Sequence, residues 1–131
     1  MAACGNNAQQ FFNLTVNGTL HNFTYPGNEL YCEMSNTGGL LVSAYKPTLP
    51  ERILMYTSGN SASNSMLVQL HANLIGITDT LGVTTPIPIT VTEYAAGSGQ
   101  YFAGSFSGTL TGRSPANTVY NVSCNFRVRR N

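Results

Sequence analysis

The sequence predicts an all-β fold: an antiparallel β-sandwich, jelly-roll-like in outline, or a flattened barrel, with about eight or nine strands. The clearest observation is the closing stretch Tyr120–Arg129, in which apolar and polar residues alternate without a break. Successive side chains of a strand point to opposite faces, so this stretch has one apolar and one polar face. A helix would not sort these residues in that way.

The composition is the second observation. Charged residues make up only 8% of the 131 residues, compared with about 25% in ordinary proteins. Asn, Thr, Ser and Gly supply the polarity instead, which favours strands, turns and an exported protein over exposed helices. The length suits one domain, which we place at residues 10–131 after a tail at residues 1–9.

The charge balance limits the classes of partner that the protein can bind. Six basic and five acidic residues give a net charge of +1, and nucleic-acid binding needs a basic patch, so we expect no nucleic-acid partner. The one basic cluster is Arg127, Arg129 and Arg130. We interpret it as a solvated strand end that keeps the last strand from pairing with a neighbour.

The N-terminal elements are predicted to form a hairpin. Phe11–Val16 and Thr19–Tyr25 both alternate, and Asn17-Gly18 lies between them. Asn-Gly is the strongest short signal for a two-residue hairpin turn, because both residues accept a positive φ. Such a turn pairs Leu14 with His21, which places His21 on the apolar face near the turn.

Four further strands are predicted in the middle of the chain, at Glu29–Ser35, Leu40–Tyr45, Arg52–Thr57 and Met66–Ala72. In the last of them, alternation puts Met66, Val68 and Leu70 on one face. The connection Lys46–Glu51 contains two prolines, which cannot donate to a ladder. We expect it to cross between sheets or over one end of a barrel.

The C-terminal half begins with the least regular stretch, Asn73–Thr85, where Leu74–Thr78 fits either a short strand or a single helical turn. Ile87–Thr92 alternates again, and its proline favours an edge position or a strand start. Gln100–Thr111 and Thr118–Arg129 are long strands that we expect to pair antiparallel. In the first of these, glycines alternate with large apolar residues on one face, which admits bulky neighbours or allows a bend.

The three cysteines are an odd number, which argues against a disulfide framework. Cys124 lies on the apolar face of its strand, where a thiol acts as a small hydrophobe. A Cys32–Cys124 bridge stays open as an alternative, because the sequence does not supply the Cα separation that a disulfide requires.

The N-terminal cysteine raises a different question. Met1-Ala2-Ala3-Cys4 is similar to the end of a bacterial lipoprotein signal, in which small residues precede an acylated cysteine. The charged start and apolar run of a signal peptide are missing. Either the chain begins inside a precursor and Cys4 carries the lipid, or Cys4 is an ordinary cysteine. A lipid on Cys4 is the only membrane attachment we expect, since no apolar run approaches ~20 residues.

Three segments resemble a known group. Thr90–Tyr94, Phe102–Leu110 and Cys124–Arg130 follow the progression TxTxY, GxFSGTL and FxVxR. This is similar to the ending of many small exported proteins of Bacteroidetes, which often open with an aromatic strand and Asn-Gly, as Phe11–Gly18 does here. The resemblance implies a β-sandwich of unknown function, either an outer-membrane lipoprotein of the bacterial envelope or an extracellular protein. It brings no catalytic residues.

No catalytic, metal-binding or nucleotide motif stands out. His21 and His71 lie in different strands without ligand-like spacing, so we predict no metal site and no cofactor. By parity Glu93 shares the face of Ile87 and Val91, but a glutamate at a strand end normally points to solvent, and we expect that here. An enzyme is therefore not predicted.

The candidate binding residues are tyrosines near strand ends or on less apolar faces, namely Tyr45, Tyr56, Tyr94 and Tyr101. Exposed aromatics on a sheet stack on sugar rings or anchor a protein contact, although tyrosine also covers the flank of a sheet. We therefore predict a non-catalytic exported or envelope-anchored protein with a binding or structural role and a protein or glycan partner. One alternative is a subunit that self-assembles through strand edges into a filament, surface layer or phage particle. A small carbohydrate-binding module is another.

Overall fold

A computed structural model confirms the all-β fold. It describes residues 10–25, 27–34, 39–47, 51–59, 61–74, 77–113 and 116–130, with the side chains of all of these except 84–86 and 116–117. Within these ranges ten strands form one antiparallel sheet that is nearly closed into a barrel. The strands are β1 (Phe11–Val16), β2 (Thr19–Thr24), β3 (Glu29–Met34), β4 (Leu40–Lys46), β5 (Glu51–Ser58), β6 (Met66–Leu74), β7 (Ile77–Pro88), β8 (Thr90–Glu93), β9 (Tyr101–Arg113) and β10 (Ala116–Arg129).

The two ends of the sheet meet at a seam. The strand order is β2-β1-β10-β9-β7-β6-β5-β4-β3, with β8 also paired to β9, so β2 and β3 are the end strands. β1 pairs with β10 only as far as Arg127, and beyond that pair the N–H of Arg129 donates to Oε1 of Gln10 at 3.0 Å. There a parallel bridge joins Arg130 to Cys32 of β3. We call the gap between β2 and β3 the seam.

The predicted N-terminal hairpin is confirmed. Asn17 and Gly18 both have positive φ, of 49° and 86°, as a two-residue hairpin turn requires. Leu14 lies opposite His21, and both are buried. The two long C-terminal strands pair antiparallel as expected, from Arg129 opposite Tyr101 onwards.

The core consists of the inward-facing side chains of the alternating strands. Its aromatic centre joins β1, β9 and β10: the Phe126 ring lies 6.1 Å from Phe12 and 5.0 Å from Phe102, measured between ring centroids. All three side chains are fully buried. Burial of one such ring contributes about 1.5–3 kcal/mol, so these contacts stabilise the C-terminal strand against the hairpin.

The glycines of β9 admit close neighbours on the inner face. A Cβ on Gly108 would lie 2.8 Å from Cδ1 of Ile87, and a Cβ on Gly104 would lie 2.4 Å from the carbonyl oxygen of Thr90. Neither position has room for a side chain. The missing Cβ atoms let the end of β7 and the start of β8 pack directly on β9.

The shared face predicted for Met66, Val68 and Leu70 of β6 is wrong, because Leu70 is fully buried and Val68 is not. Val68 is 45% exposed, whereas Leu67 is fully buried. The registers shift between Tyr56 and Thr57 on β5 and between Leu67 and Gln69 on β6, so Val68 is an extra residue in a bulge. A bulge turns the residues on its two sides to different faces, and simple alternation then fails.

Three other boundaries also differ from the prediction. Leu74 ends β6 and Ile77 begins β7, so the described residues of Leu74–Thr78 belong to two strands, and residues 75 and 76 lie outside the described residues. The segment predicted as one strand at Ile87–Thr92 is divided at Ile89, whose N–H donates to the carbonyl of Ser65 at 3.1 Å. The segment after Lys46 joins neighbouring strands rather than crossing a sheet, since Lys46 lies opposite Glu51.

Candidate functional site

Two of the four predicted tyrosines lie on one outer face. Tyr45 is on β4 and Tyr56 on β5, and their inward neighbours Ala44 and Met55 are buried. The structure adds Tyr31 of β3, which the prediction missed. Parity was the available signal for it: in Glu29–Ser35 the predicted apolar face takes the even positions, so Tyr31 had to point outward.

These tyrosines form a continuous surface with two leucines. Tyr31 of β3 lies opposite Ser43 of β4, and Ser43 lies opposite Leu54 of β5, so the three residues form one cross-strand row. Leu41 lies directly opposite Tyr56 in the adjacent row. Four of the five side chains are partly buried, and Tyr31 is the most exposed at 37%. We call this surface the tyrosine face and define it as Tyr31, Leu41, Tyr45, Leu54 and Tyr56.

Charged groups stand at the border of the tyrosine face. The Tyr31 hydroxyl donates to Oε1 of Glu33 at 3.2 Å. Partial burial, followed by the negative charge of Glu33, raises the pKa of Tyr31, so its phenol stays protonated at neutral pH. On the other border the Arg52 guanidinium carbon lies 4.7 Å from the centre of the Tyr45 ring. The face therefore offers neutral aromatic surface with one acidic and one basic margin.

The other two predicted tyrosines are elsewhere. Tyr94 turns partly inward, with its ring edge-on to Phe102 at 5.9 Å, and burial raises the pKa of its hydroxyl. Tyr101 lies on the outer side of β9, where the Arg127 guanidinium carbon is 3.8 Å from its ring centre. The structure thus separates Tyr94 and Tyr101 from the tyrosine face.

Glu93 points outward as expected. A register shift between Val91 and Glu93 moves it off the face of Val91. Its Oε2 accepts a hydrogen bond from Nε of Arg127 at 2.7 Å, and that bond is the main reason that the pKa of Arg127 is raised. Arg130 instead turns inward and donates from Nη1 to the carbonyl of Ala95 at 2.9 Å. The terminal arginines therefore diverge rather than form one basic patch.

A concave feature lies on the outer face of the sheet, on strands other than those of the tyrosine face. It is a groove of about 610 Å³ across β1, β10 and β9, between Leu20 of β2 and the Ile87–Thr90 segment. One cross-strand row on its floor is Asn13, Asn125, Ser105 and Thr90, and the next is Thr15, Ser123 and Ser107. We call this feature the amide–hydroxyl groove. Among its described lining residues there is no charged side chain.

The polar groups of this groove are mostly uncommitted. Asn13 accepts a hydrogen bond from the Asn22 amide. Among the described residues, no hydrogen bond to protein is formed by the side chains of six other lining residues, namely Thr15, Thr90, Ser105, Ser107, Ser123 and Asn125. These donors and acceptors are therefore available to a ligand.

A cluster of ionisable groups lies at the seam. Nδ1 of His21 is 3.6 Å from Oε2 of Glu51, and Nζ of Lys46 is 3.3 Å from Oε1 of the same carboxylate. His21 and Glu51 are buried. Within the part of the chain that the structure describes, Nε2 of His21 has no hydrogen-bond partner. The contact of His21 with Glu51 joins β2 to the β4–β5 hairpin.

The alternative of a Cys32–Cys124 bridge is not realised, because both cysteines are free and buried. Cys32 is bridged to Arg130, and Cys124 lies six positions earlier on the same strand (130 − 124 = 6). At about 3.3 Å per residue that is roughly 20 Å along β10, far beyond the ~4.4–6.8 Å between the Cα atoms of a disulfide. Cys4 and the rest of the predicted tail at residues 1–9, which would be the tether of a lipid-anchored form, lie outside the described residues.

Among the described ranges, no group of three His, Cys, Asp or Glu side chains is placed to hold a metal ion. In the same part of the chain no helix has the length and apolar character to cross a membrane.

In comparisons with known proteins, the chain matches no family model and no curated protein. The resemblance to exported Bacteroidetes proteins therefore stays a prediction that the quoted motifs alone carry.

Proposed function

We propose that this chain is a non-catalytic binding protein, exported to the bacterial envelope or released, that holds a protein partner on its tyrosine face. The observation that carries the proposal is the continuity of Tyr31, Tyr45 and Tyr56 with two leucines on adjacent strands. Aromatic residues with charged groups at the margin are the composition typical of a protein-binding patch.

The chemistry of the face favours a protein over a small ligand. Leu41 and Leu54 lie among the tyrosines and add aliphatic area, which suits a broad contact rather than a single ring. Tyrosine supplies large contact area at a low cost in side-chain entropy, and its hydroxyl tolerates water when the partner is absent. Glu33 and Arg52 at opposite margins would orient a partner of complementary charge.

Export and lipidation rest on composition, on the motifs and on Cys4. Intact-mass spectrometry of the protein isolated from its source cells tests this part of the proposal. A diacylglyceryl and fatty-acyl mass on a chain that starts at Cys4 supports the anchored form. A mature chain that keeps unmodified residues before Cys4, in a cytoplasmic fraction, contradicts export.

The self-assembling subunit is the weaker alternative. Assembly through strand edges needs free backbone donors and acceptors along an end strand. The approach of the two ends of the sheet, with Cys32 bridged to Arg130, reduces the free length of β3. Light scattering coupled to size-exclusion chromatography distinguishes the two, because assembly predicts a mass that rises with concentration.

The binding role is tested by footprinting of tyrosines. The protein is nitrated within the envelope fraction of its source cells and again after purification, and each modified tyrosine is quantified by mass spectrometry. We expect Tyr31, Tyr45 and Tyr56 to be protected in the native fraction. Tyr25, 47% exposed and in the connection after β2, is the internal control and should react equally in both. Equal reaction of all four tyrosines would reject the tyrosine face as the contact.

Substitution of two tyrosines then tests the contact directly. Tyr31→Ala with Tyr56→Ala should abolish retention of the protein in its native complex on native gels. Tyr25→Ala should leave retention unchanged, because that side chain lies outside the face. Protection that appears in the purified protein at high concentration would identify the partner as a second copy of this chain.

A further inference from the structure

The amide–hydroxyl groove has features of a ligand site that the tyrosine face lacks. It is concave, has a volume of about 610 Å³, and falls in the ~300–1,000 Å³ range of small-molecule sites. Six of its side chains present hydroxyl or amide groups that bond to no other protein group among the described residues. We propose that this groove binds a neutral oligosaccharide.

The lining chemistry selects that class of ligand. Side-chain hydroxyls both donate and accept, and the Asn125 amide offers two donors and an acceptor, which complements the hydroxyls of a sugar. Within the part of the chain that the structure describes, no Lys, Arg, Asp, Glu or His lines the groove. Phosphates, carboxylates and nucleic acids would therefore find no counter-charge, and a metal ion would find no carboxylate.

The apolar border completes the match. Leu20 is 60% exposed at one side of the groove, and Ile87 and Pro88 stand at the other. Sugar rings combine hydroxyl edges with apolar C–H faces, so a polar floor between two aliphatic borders suits them. A peptide would instead need a deep pocket for an anchoring side chain, and the floor here is a sheet surface.

The geometry favours a chain of sugars over a single ring. The two polar rows run across β1, β10 and β9, so successive groups are about 4.8 Å apart in the hydrogen-bonding direction. Thr90 extends the first row onto β8, opposite Ser105. A row of regularly spaced donors and acceptors can contact hydroxyls on consecutive sugar units.

This inference does not rest on the proposed protein-binding role, because the two surfaces lie on different strands. An array of neutral glycans, including maltose, cellulose, xylan and mannan oligomers together with acidic glycans, is the first probe. Isothermal titration with the best neutral oligomer then gives the affinity. We expect saturable binding to at least one neutral series and no binding to the acidic glycans.

Variants assign any binding to the groove. Asn125→Ala removes the central amide, and Ser123→Met covers the floor with a bulky side chain that is not aromatic; both residues are exposed, so the fold should be kept. Each should weaken binding about tenfold or more, which for Asn125→Ala corresponds to the loss of roughly one good hydrogen bond. The matched controls Asn73→Ala and Val68→Met alter exposed positions on β6 and should change affinity less than about twofold.

Several results would overturn the groove proposal. Silence of the whole neutral array would do so, as would equal binding by wild type and Ser123→Met, or binding confined to acidic glycans. Capture of peptides at the groove, displaced by Ser123→Met, would also replace the glycan by a protein ligand. Tyr31→Ala with Tyr56→Ala should leave glycan affinity unchanged, so failure of either proposal can be recognised separately.

Discussion

The carboxylate of Asp79 occupies the space that a side chain on Gly112 would need. A Cβ on Gly112 would lie 2.2 Å from Oδ2 of Asp79. Both oxygens of this buried carboxylate accept the backbone N–H of Arg113, each at 3.1 Å. Among the described residues, β7 and β9 share a single register pair, Gly82 with Thr111. Asp79 therefore supplies a side-chain connection where the backbone ladder between these strands is short.

Gly112→Ala should be strongly destabilising. The added methyl group cannot coexist with the Asp79 carboxylate, and overpacking in a fitted site costs about 1–3 kcal/mol. Gly82→Ala is the matched control on the facing strand, because a Cβ there meets nothing within 4 Å. Urea unfolding of the two variants measures the difference. Equal stability of both would mean that Asp79 does not hold its position beside Gly112.

Gly108 and Ile87 should be energetically coupled. A methyl group on Gly108 would press on Cδ1 of Ile87 at 2.8 Å, so Gly108→Ala should cost about 1 kcal/mol or more. Ile87→Val removes that Cδ1 and alone should cost about 0.5–1.5 kcal/mol. In the double variant the clash disappears, so the total cost should be smaller than the sum.

A four-protein urea cycle measures this coupling. The expected interaction free energy is about 0.5–1 kcal/mol in favour of the double variant. Strict additivity would show that Ile87 moves away freely and that the missing Cβ of Gly108 does not govern the packing of β7 on β9.

The sequence predicted those parts of the fold that depend on local chemistry. Asn17-Gly18 determines its own turn, and the turn determines the register of Leu14 with His21. Val68 was placed on the wrong face because a bulge depends on the partner strands, which are distant in the sequence. The same limit explains the boundary at Ile89, where the carbonyl of Ser65 interrupts an otherwise regular pattern.

The candidate sites were likewise predictable from local pattern but not where they depend on segments that are distant in the sequence. Outward parity was enough to find Tyr31 and would have placed it with Tyr56 once the order of β3, β4 and β5 was known. The amide–hydroxyl groove could not be predicted, because Asn13, Ser105 and Ser123 come from three separate segments of the chain. Only the registers between β1, β10 and β9 align them.

The free energy of unfolding should decrease in alkaline solution. Burial is the main cause that raises the pKa of Cys32 to about 12, and burial also raises the pKa of Cys124. An unfolded thiol ionises near pH ~8.5. Between these values the unfolded chain loses protons that the folded chain keeps, so stability is full below pH ~8.5 and falls as pH rises towards 12.

Each thiol contributes a slope of at most about 1.4 kcal/mol per pH unit over that interval. Urea midpoints at pH 8, 9 and 10 measure it, and Cys32→Ala should reduce the slope whatever its effect on stability at pH 8. The raised pKa values of Tyr31 and Tyr94 add a loss in the same direction at higher pH. A slope that is unchanged in Cys32→Ala would contradict the burial of that thiol.

The seam cluster should respond asymmetrically to substitution. Nε2 of His21 is buried without a hydrogen-bond partner in the part of the chain that the structure describes, and such a group costs about 1–3 kcal/mol. His21→Leu removes that cost and should leave stability within about 1 kcal/mol of wild type, or increase it. Glu51→Gln keeps the shape but removes the charge 3.3 Å from Nζ of Lys46, and should cost about 1–3 kcal/mol.

Urea unfolding at neutral pH compares these two variants, and Lys46→Met tests the third member of the cluster. Lys46 keeps part of its side chain in solvent and lies 4.9 Å from the centre of the Phe23 ring. Met preserves much of that packing, so its loss should be smaller than that of Glu51→Gln. If His21→Leu proved the most damaging of the three, the pair of His21 with Glu51 would be the interaction that stabilises the seam. The unpartnered nitrogen would then be a minor cost, outweighed by that contact.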